Sequence, residues 1–285
     1  MPSTDMPAAP PRILNRRRTL EALGAFGTLG SLGLLGCGGG GDEDGTSTTS
    51  TSTTTTTTTT TGGTTSTETS ASCSVVPEET AGPYPADGST ASNRSYNVLA
   101  LAGIVRSDIR TSIGASAQAL GVPLTVEITL TSTTQNCAAL QGYAIYLWHC
   151  TADGNYSVYT TQNVNDNQLR GVQATDANGT VRFTTIVPGC YSGRMPHMHL
   201  EIYPSLVSAT AAASKLRTTQ LAFPTETLRS IYAANAVYSA SIPNLNAISF
   251  ATDNVFSDGA DLEMTTLTGN ASDGYTAAIT ISIAA

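Results

Sequence analysis

The sequence predicts an all-β protein, an antiparallel β-sandwich with one or two short helices over residues 73–285, preceded by a disordered tether. Two observations carry this expectation. Charged residues make up 12% of the 285-residue chain, where an ordinary globular protein has about 25%, and Thr, Ser and Gly are abundant in their place. Short segments rich in Val, Ile, Thr and Tyr then recur through the second half, separated by turn residues. The formal net charge of -8 argues against a basic nucleic-acid-binding face. Five cysteines are too few for a disulfide-dense miniprotein. With one continuous apolar stretch, the pattern is not that of a polytopic membrane protein.

That stretch runs from Ala22 to Gly36, after Arg16, Arg17 and Arg18. A charged region before a short apolar run is the arrangement of a signal peptide, and the paired arginines resemble a twin-arginine export signal. The run ends Leu34-Leu35-Gly36-Cys37, which resembles a bacterial lipobox. Residues 1–36 are therefore expected to be an export signal, with Cys37 lipidated as the first residue of an extracytoplasmic, membrane-anchored chain. Residues 37–72 are almost wholly Gly, Thr and Ser, unbroken threonine from Thr53 to Thr61. Nothing there can bury a core, so the segment reads as a disordered spacer.

Strands are expected at Val98–Ile104, Leu124–Leu130, Ala144–Trp148, Val181–Ile186, Met198–Tyr203, Gln220–Phe223 and Ala277–Ile283. Val126, Ile128 and Leu130 alternate with Glu127 and Thr129, the period of a half-buried strand. A helix is expected over Thr225–Ala234, after Pro224 and with Thr225 as N-cap. Asp153-Gly154-Asn155 and Asn178-Gly179 read as turns.

The chain has three histidines, His149, His197 and His199. On a strand His197 and His199 point to one face, side by side, as metal ligands do. His149, between Trp148 and Cys150, reads as a packed strand residue. A two-histidine, one-carboxylate iron centre would take Glu201 as its third ligand, but a cupin needs another histidine downstream and none follows His199. A zinc hydrolase finds no HExxH, and a serine hydrolase no GxSxG. Tyrosine is the remaining donor, because a ferric ion strongly favours the ionised phenol. Tyr156 and Tyr191 both lie in turn-like segments.

Several strings resemble, in order, the intradiol ring-cleavage dioxygenases. They are Gly142–Cys150 with Ala152–Ser157, Leu169–Gln173, Thr175–Gly179, Phe183–Tyr191, and Arg194-Met195-Pro196-His197-Met198-His199. Glu79–Tyr84 resembles the motif at the mouth of that family's pocket, Arg106–Arg110 its early strand, and Thr219–Phe223 continues the match. The resemblance implies a non-haem ferric centre, Fe(3+), on a β-sandwich, with Tyr156, Tyr191, His197 and His199 as ligands. It implies Tyr191 and His199 axial, with Tyr156 and His197 equatorial beside a hydroxide. It further implies that Arg194 stabilises developing negative charge, that Gln220 is a polar group of the pocket, and that Tyr84 lines it. The implied reaction opens a catechol-type aromatic diol between its hydroxyls with O2, giving a muconic acid. The tether in place of a helical N-terminal region points to the secreted, protocatechuate 3,4-dioxygenase-like branch. Which diol is used stays open, as does the oligomeric state. No nucleic-acid partner is expected, and membrane contact only through Cys37. The competing expectation is a non-catalytic extracellular β-sandwich binding module sharing the scaffold. Beyond Cys37, four cysteines allow three pairings; Cys73–Cys137 with Cys150–Cys190 is the one expected.

Overall fold

The computed structural model describes residues 73–285, so the expectations for the export signal, Cys37 and the tether lie outside the described residues. Within them two β-sheets pack face to face. The first is built on β1 (Pro123–Ser132) and β2 (Ala138–Ala139), with β5 (Thr180–Ile186), β8 (Thr266–Asn270) and β9 (Gly274–Ile283). The second contains β3 (Ala144–Trp148), β4 (Arg170–Ala174), β6 (His197–Tyr203) and β7 (Arg217–Ala222), in the order β4-β3-β6-β7. Every pairing in the second sheet is antiparallel. The first sheet is mixed, because β1 runs parallel to β9, from Leu124 beside Tyr275 to Ser132 beside Ile283. A parallel pair needs a long crossover, and here that crossover is most of the domain.

Alternation works as the sequence suggests. In β1, Val126, Ile128 and Leu130 are buried in the core between the sheets, while Glu127 and Thr129 face outward. At the turn between β4 and β5 the Asp176 carboxylate accepts the Asn178 and Thr180 amides. Gly179 has φ +73° there, and a Cβ would lie 2.5 Å from the Leu130 carbonyl oxygen, so only glycine fits. The helices are α1 (Thr225–Ala234), which buries Leu228, Ile231 and Tyr232, and the shorter α2 (Ser241–Asn246).

Several expectations change. Residues 98–104 form a 3-10 turn, Val98–Ala100, followed by further turns, not a strand. The Asn97 side chain accepts the Leu99 amide, and Val98 and Leu99 are buried against the outer face of the second sheet without strand partners. Residues 106–110 are likewise not a strand; with Val105 before them they meet β4 and β5 at the isolated bridges Val105–Val172 and Asp108–Thr184. Pro224, not Thr225, is the N-cap of α1, and no side chain caps it. β4 escapes sequence reasoning because it opens on a charge and a glycine, and β8 because it is largely exposed. Cys73 and Cys137 form a disulfide, as expected. Cys150 and Cys190 do not pair: both are buried free thiols. The Cys150 thiol faces the Gly189 carbonyl and the Cys190 thiol the Arg194 carbonyl. Burial pushes both up to about 12, so both remain protonated. Among the described residues no helix is long and apolar enough to cross a membrane.

The second sheet is covered on both faces. Ile145, Leu147, Met198, Leu200 and Ile202 face the main core, while Tyr146, Trp148, Val172 and Tyr203 face a smaller cluster under loops. Arg170 ties those loops down. Its side chain is fully buried, with Nε donating to Ser157 Oγ at 3.0 Å, Nη2 to the Ser157 carbonyl at 3.1 Å, and Nη1 to the carbonyls of Tyr84 and Pro85 at 3.0 and 3.1 Å. Tyr146 Oη lies 3.1 Å from the same Nη1. These partners are main-chain carbonyls and hydroxyls, whose dipoles solvate the charge. Arg170→Met strands those acceptors and is expected to cost about 3 kcal/mol or more. Arg170→Lys should recover only part, because an ammonium lacks the planar fork. Urea denaturation of the metal-free protein measures both.

Candidate metal centre

β6 carries His197 and His199 outward, away from the main core, and both imidazoles are buried. Their Nε2 atoms lie 3.1 Å apart. His197 Nδ1 sits 2.6 Å from the Met195 carbonyl, which fixes Nδ1 as the protonated nitrogen and turns the Nε2 lone pair toward the site. His199 is stacked on Trp148, with ring centroids 4.9 Å apart and planes 5° from parallel. Its Nδ1 makes no well-formed hydrogen bond, although the Thr80 carbonyl acts on it electrostatically.

The two tyrosines arrive on loops. Tyr156 follows the turn in which the Thr151 amide donates to the Asn155 carbonyl at 2.7 Å. Tyr191 follows Gly189, where a Cβ would lie 2.4 Å from the Thr151 carbonyl oxygen and 2.6 Å from that of Ala152. Only a glycine lets the two loops pass this closely, and the passage brings the rings of Tyr156 and Tyr191 within 5.8 Å. Tyr191 Oη is 3.0 Å from His197 Nε2. Tyr156 Oη is buried and makes no well-formed hydrogen bond, although the Tyr191 phenol acts on it.

Arg194 closes the same site. Its Nη1 lies 3.4 Å from His197 Nε2, its Nη2 donates to Gln220 Oε1 at 2.6 Å, and its Nε lies 3.0 Å from both Asp253 oxygens. Gln220 stands opposite His199 across β6 and β7, and its Nε2 donates to the Thr80 carbonyl. Tyr84 stacks on Tyr156 with centroids 4.8 Å apart. Tyr156, Tyr191, Arg194, His197, His199 and Gln220 are therefore brought together, with Tyr84 against the first. Cys37 lies outside the described residues. His149 is elsewhere and self-contained, its two nitrogens 2.8 Å from the Cys150 carbonyl and 2.6 Å from Thr185 Oγ1. Glu201 is no ligand here, being held by Lys215 Nζ at 2.7 Å and Tyr203 Oη at 2.6 Å.

Asp253, Trp148 and Phe256 belong to the site without having been singled out for it. Phe256 lies under the Arg194 guanidinium, its ring centre 5.6 Å away. Trp148 sits within a strand string already noted. Asp253 gives no local signal, as a lone acid in a polar loop far along the chain.

The donor set suits a hard, highly charged cation. Among the described residues no three His, Cys, Asp or Glu side chains cluster to hold a metal, so the phenols complete any centre. One lone pair, on His197 Nε2, faces Tyr191 Oη, His199 Nε2 and Arg194 Nη1 at once. A cation held by the two Nε2 atoms and Tyr191 Oη would satisfy them and Tyr156 Oη together, with the Arg194 guanidinium beside it as a donor and not a ligand. Burial is the main reason Tyr156 is raised well above the phenol range, and the Tyr191 phenol adds to it. Burial pushes Tyr191 up to about 12, against the pull of Arg194. Both phenols are neutral without a metal, and a trivalent ion reverses that preference.

This geometry stands beside clear relationships. Residues 101–254, more than half of the chain, match a family model described as Dioxygenase. No curated protein sequence matches the chain. An intradiol ring-cleavage dioxygenase from Tetranychus urticae is similar in structure at 23% identity, covering 74% of this chain and 95% of its own, with a TM-score of 0.56. A second dioxygenase crystal structure gives 23% identity, 74% and 94% coverage and a TM-score of 0.57. At that identity the two structures speak for the fold. The family match decides the class. The chain belongs to the intradiol ring-cleavage dioxygenase family.

Burial lowers His197 and His199 well below 6.5, Arg194 lowering both further, and lowers His149 to about 4. In the metal-free protein none of the three imidazoles is therefore expected to titrate at or above pH 6.5, which proton NMR of the ring Cε1–H signals measures. The sign for stability follows. Below pH 6.5 the unfolded chain takes up protons that the folded one refuses, so this contribution is present above pH 6.5 and lost on acidification. Glu201 and Glu263, raised by burial to about 7 and about 8, act in the opposite sense, favouring the folded state as pH falls toward their unfolded values.

Proposed function

We propose that the protein binds one ferric ion through Tyr156, Tyr191, His197 and His199 and uses it to cleave a catechol-type diol between its hydroxyls. The observation that carries this is the convergence of two buried phenols and two neutral imidazoles, with no well-formed hydrogen bond to Tyr156 Oη. The diol gains both atoms of O2 and leaves as a muconic acid. A binding module sharing the scaffold would have no use for four buried donors around one point.

Ferric iron, when bound, supplies Lewis acidity that holds the diol ionised and makes its ring electron-rich toward O2. The chain supplies the rest. Two phenolates and two neutral imidazoles leave one positive charge on the centre, which suits an anionic substrate. Tyr191 is the less deeply buried phenol and Tyr156 the sealed one, so Tyr191 Oη is the group placed to take a proton from the incoming diol. Arg194 keeps Nη1 toward the site, where a desolvated cation opposes negative charge developing on the ring oxygens. Gln220 holds Nη2 and so sets the plane of that guanidinium. Tyr84 covers Tyr156 and keeps water from that side.

Iron-loaded protein should absorb visible light through phenolate-to-iron charge transfer and consume O2 with catechol, hydroxyquinol or protocatechuate. Tyr191→Phe should shift the band and slow turnover at least tenfold, whereas Tyr275→Phe, on β9 of the other sheet, should change neither. His197→Ala or His199→Ala should lose most of the bound iron. A colourless reconstituted protein that turns over none of the three diols would falsify the reading.

The same reading includes export. The arginine pair, the apolar run and Leu34-Leu35-Gly36-Cys37 support a lipid anchor at Cys37, with residues 37–72 as spacer. Wild type should then fractionate with membranes and Cys37→Ala should be released. Equal release of both removes the anchor.

A further inference from the structure

Asp253 is wholly buried in the loop before the 3-10 turn Phe256–Asp258, and its carboxylate gathers contacts from two parts of the chain. From its own loop, Oδ1 accepts the Val255 amide at 2.8 Å and the Phe256 amide at 3.2 Å. From the segment before β6, Arg194 Nε lies 3.0 Å from both oxygens and the Met195 amide donates to Oδ2 at 2.6 Å. Its contact with Arg194 is through Nε, so Nη1 and Nη2 are left for His197 and Gln220.

Met195 passes the constraint on. Its amide is held by Asp253, and its carbonyl accepts His197 Nδ1–H at 2.6 Å. Pro196 follows, which restricts Met195 to extended backbone. The residue between carboxylate and imidazole is thus stiff. Phe256, whose amide Asp253 also holds, lies under the guanidinium and has its ring 6.4 Å from that of His197.

We infer that Asp253 is a positioning residue for the cleavage reaction: it aims the Arg194 guanidinium at the metal centre and, through Met195, fixes the tautomer and orientation of His197. The inference rests on the proposed cleavage for what Arg194 does there, and on the contacts alone for what happens to His197. Asparagine at 253 keeps the shape, but its amide nitrogen cannot accept from Arg194 or Met195, and it leaves the Arg194 charge without its counter-ion.

The test compares full-length wild type, Asp253→Asn, Asp253→Glu, Arg194→Gln and the double variant Arg194→Gln/Asp253→Asn. In iron-loaded protein Asp253→Asn is expected to lower kcat about 100-fold, the scale of losing one aimed donor, with KM changed less than about threefold, as for a contact made in the transition state. Asp253→Glu should recover part of kcat. In the Arg194→Gln background Asp253→Asn should slow turnover by a much smaller factor than it does in wild type, because the route through Arg194 is already removed and only the one through Met195 and His197 is left. In metal-free protein the His197 Nδ1–H resonance should be protected in wild type and shifted or lost in Asp253→Asn. The His149 Nδ1–H resonance should not move. The inference is overturned if Asp253→Asn lowers only the melting temperature, if the two substitutions lower kcat by independent factors, or if the His197 resonance stays in place. If wild type cleaves no diol, the cleavage reading fails, and the His197 resonance alone decides whether Asp253 positions that ring. If Asp253→Asn does not fold, the charge-balanced double variant carries the resonance measurement, with the same shift expected.

Discussion

Strand β6 is buried on both faces, and the arrangement of the site follows from that. Met198, Leu200 and Ile202 fill the core between the sheets, so the residues that alternate with them must point the other way. Those residues are His197, His199, Glu201 and Tyr203, all polar and all buried. A polar group under cover must be hydrogen-bonded, ion-paired or metal-bound. Glu201 accepts from both Tyr203 and Lys215. The two histidines instead face the tyrosines, and the cover over this face is what makes the centre dry.

The cover is itself a structure of loops, and loops hold position only where something ties them. Arg170 does so for the segments bearing Tyr84 and Ser157, next to Tyr156, by donating to their carbonyls and a hydroxyl. Gly189 does so for Tyr191 by permitting a main-chain approach that any side chain would block. The ligands on a strand are rigid by their ladder, and the ligands on loops are made rigid by a buried cation and a missing Cβ. Tyr191 is less deeply buried than Tyr156, and the proposed difference in role between the two phenols rests on that.

Electrostatics follow the same division. Without a metal, burial keeps both phenols protonated and both imidazoles neutral. The apo site is therefore uncharged apart from Arg194, whose charge Asp253 balances. Bringing a trivalent cation into such a site ionises the phenols, and the cost of burying each charge is offset by its neighbours rather than by solvent.

Period-two alternation and turn chemistry were enough to place β1, β3, β5, β6 and most of β9, because each of these strands buries a regular apolar face. The paired histidines and the two tyrosine turns were legible because ligand chemistry needs those residue types close together in local strings. What sequence alone left out are contacts made across the fold. Asp253 meets Arg194 across more than fifty residues, a 3-10 turn replaces the strand expected at 98–104, and β1 pairs in parallel with the last strand. The thiols of Cys150 and Cys190 stay apart for the same kind of reason: each is turned to a main-chain carbonyl by the loop that carries it. Local sequence sets which way a side chain points from its own strand. Only the packed structure sets what it meets there, because the partner is chosen by the topology and by which groups are left dry together.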